Sequence, residues 1–211
     1  DITVHVTDVS GTWMIEPSGW TSVGLTLIRD GNMLHVYETG TTNDVNIPRG
    51  IEDAADIVII GSDSQNDTLT IDFSGGNPIP AGGVGYEGGI AGNDTLVLTG
   101  GGLATITYNF ANESDGSIDL SGSTITYTGL EPISSTINVV DVVLNYSGAN
   151  ETIAVTDAGG GQTTVASTAG ETTTFNNPSG TLTINTGGGD DAVNITSLAA
   201  GYPGHVTING Q

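Results

Sequence analysis

The residues of this 211-residue chain best placed to do chemistry are acids set just ahead of apolar runs. Asp67 precedes Thr68-Leu69-Thr70-Ile71, and Asp94 precedes Thr95-Leu96-Val97-Leu98. Asp190 and Asp191 follow Gly187-Gly188-Gly189 and precede Ala192-Val193-Asn194-Ile195. A carboxylate at a strand entrance, beside a glycine turn whose carbonyls point inward, offers hard oxygens to a divalent cation. Asp67, Asp94, Asp190 and Asp191 are therefore candidate metal ligands, with calcium the candidate ion. The competing use is local: Asp or Asn in such a place bonds its own backbone in an Asx-turn.

Other reactive constellations are thin. His5, His35 and His205 lie far apart and in no metal-binding spacing. There is no Cys, hence neither a thiol nucleophile nor a disulfide, and no Gly-x-Ser-x-Gly elbow. Asp190-Asp191 with Asp157 could mimic the carboxylate pair of a glycosidase or polysaccharide lyase. Trp13, Trp20 and Tyr37 could stack on sugars or pack as a hydrophobic plug at one end of the fold. Thr-x-Thr pairs such as Thr68/Thr70 and Thr124/Thr126 resemble those of some ice-binding proteins, but β propensity alone selects outward Thr. Asn-x-Ser/Thr sequons stand at Asn66, Asn93, Asn112, Asn145, Asn150 and Asn194. The expectation is a chain that is not an enzyme.

Charge narrows the partners. The formal charge of −22 comes from 24 acids against two cations, Arg29 and Arg49, with no Lys. Phosphate neutralisation needs Lys and Arg, so nucleic acid is excluded as a partner, as are anionic surfaces. Divalent cations and salt-rich solvent suit the balance, and a net charge far from zero also keeps exposed sheets apart. No membrane-length apolar run is present. The chain begins at Asp1 without Met, which suggests a processed protein or a piece of a longer one.

The elements that must position these residues are all strands. No segment keeps a 3.6-residue apolar period, and Gly and Thr oppose helix. Ile2–Val6 alternates, and Pro17-Ser18-Gly19 reads as a turn. Residues 24–37 form a hairpin about Asp30-Gly31. Residues 44–47 and 56–60 read as strands, the second buried on both faces. Asn-Asp-Thr-Leu recurs 27 residues apart, at Asn66 and Asn93. Thr-Ile-Thr-Tyr recurs 19 residues apart, at Thr105 and Thr124, which suggests like side chains stacked on neighbouring strands. Leu182–Asn185, Ala192–Thr196 and Val206–Asn209 are three short strands, with Leu182 and Val206 24 residues apart. That spacing fits one coil of a β-solenoid with two strands per coil. Ile208-Asn209-Gly210-Gln211 looks like half a repeat, which Asp1–Val6 of another copy would complete.

The turn Gly88-Gly89-Ile90-Ala91-Gly92-Asn93-Asp94-Thr95-Leu96 resembles the calcium-binding nonapeptide of secreted bacterial RTX-type repeats, with one extra residue before Gly92. Thr186-Gly187-Gly188-Gly189-Asp190-Asp191-Ala192-Val193 matches it at Gly187, Gly189, Asp191 and Val193. The wider phrasing of residues 60–211 resembles modules of giant secreted or surface-attached bacterial repeat proteins. The resemblance implies an extracellular or cell-surface β-solenoid and assigns no activity. The reading is all-β: a parallel β-solenoid (β-helix) with an N-terminal antiparallel hairpin, or alternatively β-sandwich repeat domains. Residues 1–60 form an N-terminal segment continuous with solenoid repeats at 61–211. The expected role is an extracellular structural module of a surface layer, fibre or adhesin. Its partner is itself, head to tail or in tandem, with calcium as a candidate stabiliser and glycans or a cell surface as further partners. The alternative role is a carbohydrate-binding or carbohydrate-cleaving β-helix.

Overall fold

The computed structural model describes residues 3–5, 8–9, 11–18, 24–45, 47–90 and 92–210. Among them every helix or strand element is a strand. In chain order these are β1 (Thr3–His5), β2 (Asp8–Val9), β3 (Thr12–Ser18), β4 (Leu25–Asp30), β5 (Met33–Glu38), β6 (Arg49–Gly50) and β7 (Asp56–Ile60). Next come β8 (Thr68–Asp72), β9 (Val84–Glu87), β10 (Thr95–Thr99), β11 (Gly102–Phe110), β12 (Gly116–Leu120), β13 (Ser123–Thr128) and β14 (Ile133–Ser135). The last are β15 (Asn138–Asn145), β16 (Thr152–Gly159), β17 (Gln162–Ser167), β18 (Thr173–Asn176), β19 (Thr181–Asn185), β20 (Ala192–Ile195) and β21 (His205–Asn209).

They build two mixed sheets. One runs β1-β3-β7-β9-β13-β12-β11-β15-β19-β21, with β2 also on β3; the other runs β20-β16-β17-β18-β14-β10-β8-β4-β5-β6. The chain alternates between them, β7 to β8, β9 to β10, β15 to β16 and β19 to β20. Strands from successive passes pair in parallel. Leu69 lies against Leu96, Val142 against Leu182, and Leu182 against Val206. Antiparallel excursions interrupt the series: β12 and β13 fold back after β11, and β17 and β18 after β16.

Alternation of Thr with Leu, Ile or Val makes these segments strands with one buried face. β8 and β10 both alternate half-buried Thr or Val with buried Leu or Ile. Inward rows from both sheets join one apolar cluster, including Leu25, Leu69, Leu96 and Ile133 from one sheet and Ile57, Val84 and Ile125 from the other. In a parallel row each side chain is covered by its equivalents above and below.

The structure departs from the sequence reading in several places. β11 and β13 are not neighbours, because β12 lies between them, so the two Thr-Ile-Thr-Tyr segments do not stack. β7 buries only Ile57 and Ile59, since its other face is part-exposed. The hairpin is present as β4 and β5, with Asp30 paired to Met33 and the turn at Gly31-Asn32. Pro17 and Ser18 are extended in β3, paired with Val4 and Thr3, and Gly19 lies outside the described residues. Of residues 44–47, Asp44, Val45 and Ile47 lie in no strand, Asp44 forming a single bridge to Tyr37, and Asn46 is outside the described residues. β1 runs antiparallel to β3, against the direction of the repeat strands it was expected to continue. Ile2, Val6 and Trp20 are outside the described residues.

Position within a row sets the cost of truncation. Ile184 and Ile208 are direct partners across β19 and β21, yet Ile184 is 0% exposed and Ile208 43%. Ile184→Ala is expected to destabilise by about 2–5 kcal/mol in urea titration, and Ile208→Ala by less than half as much. Equal losses would contradict the row packing.

Candidate functional site

Glycine makes the corner where the chain leaves the first sheet for the second. Gly61, Gly88 and Gly129 follow β7, β9 and β13 and stack on one another: Gly61 N–H donates to Glu87 O at 2.6 Å and Gly88 N–H to Thr128 O at 2.8 Å. A Cβ on Gly88 would lie 2.7 Å from Asp94 Cβ, and one on Gly61 2.9 Å from Asp67 Oδ2. Only glycine lets the carboxylates fold in so closely.

Asp67 and Asp94 are brought together at this corner, 1% and 2% exposed. Three bonds clasp them: Asp67 N–H donates to Asp94 Oδ1 (2.8 Å), Asn93 N–H to Asn66 Oδ1 (2.9 Å), and Thr95 N–H to Asp67 O (2.8 Å). Asp67 Oδ2 also accepts from Ser62 N–H.

The same clasp recurs between β16 and β20. Glu151 N–H donates to Asp191 Oδ1 (3.0 Å), Asp190 N–H to Asn150 Oδ1 (3.0 Å), and Ala192 N–H to Glu151 O (2.8 Å). Here Glu151 takes the place of Asp67 and Asp191 that of Asp94. Glu151 is 2% exposed, and its Oε1 accepts from the Ser147 hydroxyl. The two pairs are far apart, because β14, β18, β17 and β16 lie between β10 and β20. At about 4.8 Å per strand that is roughly 24 Å, so no one ion is shared by all four candidate aspartates. Asp190 is exposed and contributes its backbone N–H.

Electrostatics follow from burial. Asp67 is pushed up to about 6, chiefly by burial and further by the charge of Asp94, against the pull of the Ser62 bond. Burial likewise raises Asp94 and Glu151, whereas the backbone bond from Glu151 lowers Asp191. Glu171, 2% exposed, is pushed up to about 8 by burial, with the Glu131 charge adding and the Thr172 backbone bond opposing. One oxygen each of Asp67, Glu151 and Glu171 is buried without a hydrogen-bond donor, as are the hydroxyls of Tyr86, Tyr127 and Tyr146. Asp94 and Asp67 add to the raised Tyr86, Glu171 to Tyr127, and Glu151 to Tyr146, after burial in each case. Among the described residues no group of three or more His, Cys, Asp or Glu is arranged to hold a metal ion.

A second polar feature went unread in the sequence. Asn109, Asn145, Asn185 and Asn209 stand at one register position on β11, β15, β19 and β21. Each amide Nδ2 donates to the Oδ1 of the Asn before it, at 2.7, 2.6 and 2.7 Å. The signal was present as apolar-x-apolar-Asn, in Ile106–Asn109, Val142–Asn145, Leu182–Asn185 and Val206–Asn209. Glu151 could have been found from Asn150-Glu151-Thr152, which repeats the Asn-acid-Thr of the other two turns.

The remaining candidates are scattered. His35 Nδ1 lies 3.0 Å from Asp44 Oδ2, and His205 is exposed on β21. Asp157 is exposed near the β16 hairpin tip, and its carboxylate accepts from Gly159 N–H at 2.9 Å. Trp13 is buried while Tyr37 is part-exposed beside His35, and the side chain of His5 is not described. No family model, curated protein or solved structure matches this chain.

Two outcomes test this chemistry. Asn145 bonds both of its neighbours, so Asn145→Ala is expected to lose about 1–3 kcal/mol, and Asn209→Ala, which removes one exposed bond, less than about 1 kcal/mol in the same titration. Glu171 holds a proton in the folded chain that the unfolded chain, at its ordinary value of about 4.3, has already released. Its contribution is therefore full below about pH 4 and is lost as pH rises through about 8. Glu171→Gln is expected to flatten the fall in Tm between about pH 5 and 8; an unchanged slope contradicts the assignment.

Proposed function

We propose that the chain is a parallel β-solenoid module with a mechanical role in an extracellular or cell-surface assembly such as a surface layer, fibre or adhesin. The observation that supports this reading is where the polar side chains go. The acids and asparagines most suited to chemistry bond one pass of the chain to the next, in a clasp made twice and an amide ladder four residues long. Groups so engaged give cohesion along the stack rather than turnover of a substrate. The assembly grows by extending the two sheets with a neighbouring module or copy.

Calcium belongs to this reading at the Asp67–Asp94 corner. A hard cation there would neutralise two buried carboxylates and meet the donor-free Asp67 Oδ1, with backbone carbonyls and water completing its shell. At the other clasp, Asp191 is the sequence candidate and Glu151 its partner.

Light scattering and melting of the purified chain, with calcium and then with a chelator, test the reading. A Tm raised by calcium and lowered again on chelation is expected, while large species that shrink on chelation would show that copies of this chain stack on one another. Asp94→Asn keeps the acceptor for Asp67 N–H and should abolish the calcium effect without unfolding the chain. A monomer whose Tm ignores calcium but rises with an added glycan would favour a carbohydrate-binding β-helix instead.

A further inference from the structure

The two ends of the paired stack differ. At one end the parallel strands are covered by antiparallel ones: β1 and β2 lie on β3, and β5 lies on β4 with β6 beyond. That cover brings its own buried residues, Leu34 and Val36, at 0% and 1% exposed, and leaves Leu25 and Leu27 at 0%. At the other end β21 pairs only with β19, and β20 only with β16, among the described residues.

The apolar rows stay open at that end in both sheets. Exposure along one row goes from 0% at Leu144 and Ile184 to 43% at Ile208. In the other sheet it goes from 0% at Val155 to 44% at Ile195, its direct partner. Two unpaired strand edges thus frame a cross-section of the core.

The amide ladder gives this end a direction. Each Asn donates back to the one before, so every Oδ1 but the last is used. Among the described residues nothing donates to Asn209 Oδ1. A parallel strand with Asn at the same position would supply that donor. A second copy's covered end would bring up β1, Thr3-Val4-His5, which runs the other way and has no Asn.

We infer that the β20–β21 end is a one-way docking surface for a further parallel coil of a neighbouring module. One of its strands carries apolar-x-apolar-Asn over Val206, Ile208 and Asn209, and the other covers Val193 and Ile195. The inference rests on the stacking role proposed above and adds which end is extended and by what chemistry.

The test appends a copy of residues 188–209 after residue 211, which keeps the 24-residue spacing of Leu182 and Val206. Amide exchange at Val206 and Ile208 is expected to slow at least tenfold, and Tm to rise. Changing the appended Asn equivalent of Asn209 to Leu should forfeit part of both gains. Unchanged exchange at Val206 and Ile208 overturns the inference. So does equal protection in the unextended chain that grows with protein concentration, which would assign the edge to a second copy. Neither result depends on calcium or on an extracellular role, so the inference and the proposed function fail separately.

Discussion

Parallel pairing in register sets a residue beneath its own equivalent, and most of this structure follows from that constraint. Leu over Leu or Ile over Ile buries both, which is why interior rows reach zero exposure. Asn over Asn is self-complementary, because an amide carries a donor and an acceptor. Acid over acid is not, since like charges repel across the same short distance. The chain resolves that conflict at its corners by letting one carboxylate accept the backbone N–H of the next, Asp94 from Asp67 and Asp191 from Glu151. Asp67, Asp94 and Glu151 are left buried, with raised pKa values.

The same constraint accounts for the glycines and bears on the charge. Gly61, Gly88 and Gly129 stack where any side chain would press on the pass above or on an aspartate. The net charge of −22 discourages casual pairing at the exposed edges, so extension requires a partner that matches the rows and the ladder. Cohesion is therefore local and specific while the surface remains repulsive.

Much of the repeat was legible. The recurrence of Asn-Asp-Thr-Leu marks two like strands, and they pair in parallel with Leu69 against Leu96. The spacing from Leu182 to Val206 predicted a pass through one intervening strand, which is β20. The antiparallel excursions were not legible, because β12 and β17 alternate buried and part-exposed residues just as the parallel strands do. Thr-Ile-Thr-Tyr therefore looked like a stacked pair when β12 separates the two copies. Of the four candidate aspartates, Asp94 and Asp191 sit in clasps by their carboxylates and Asp67 and Asp190 by their backbone, but Glu151 and the asparagine ladder were missed. Both depend on which strands become neighbours, and the β17–β18 excursion hides that from a fixed repeat length.

Native-state hydrogen exchange resolved by residue tests the stacked register most directly. Amides of β8, β10, β15 and β19, covered on both sides, should exchange slowest, with protection falling at β20 and β21. Slow exchange in β20 and β21 equal to that of β15 and β19, or fast exchange throughout β8 and β10, would contradict the account.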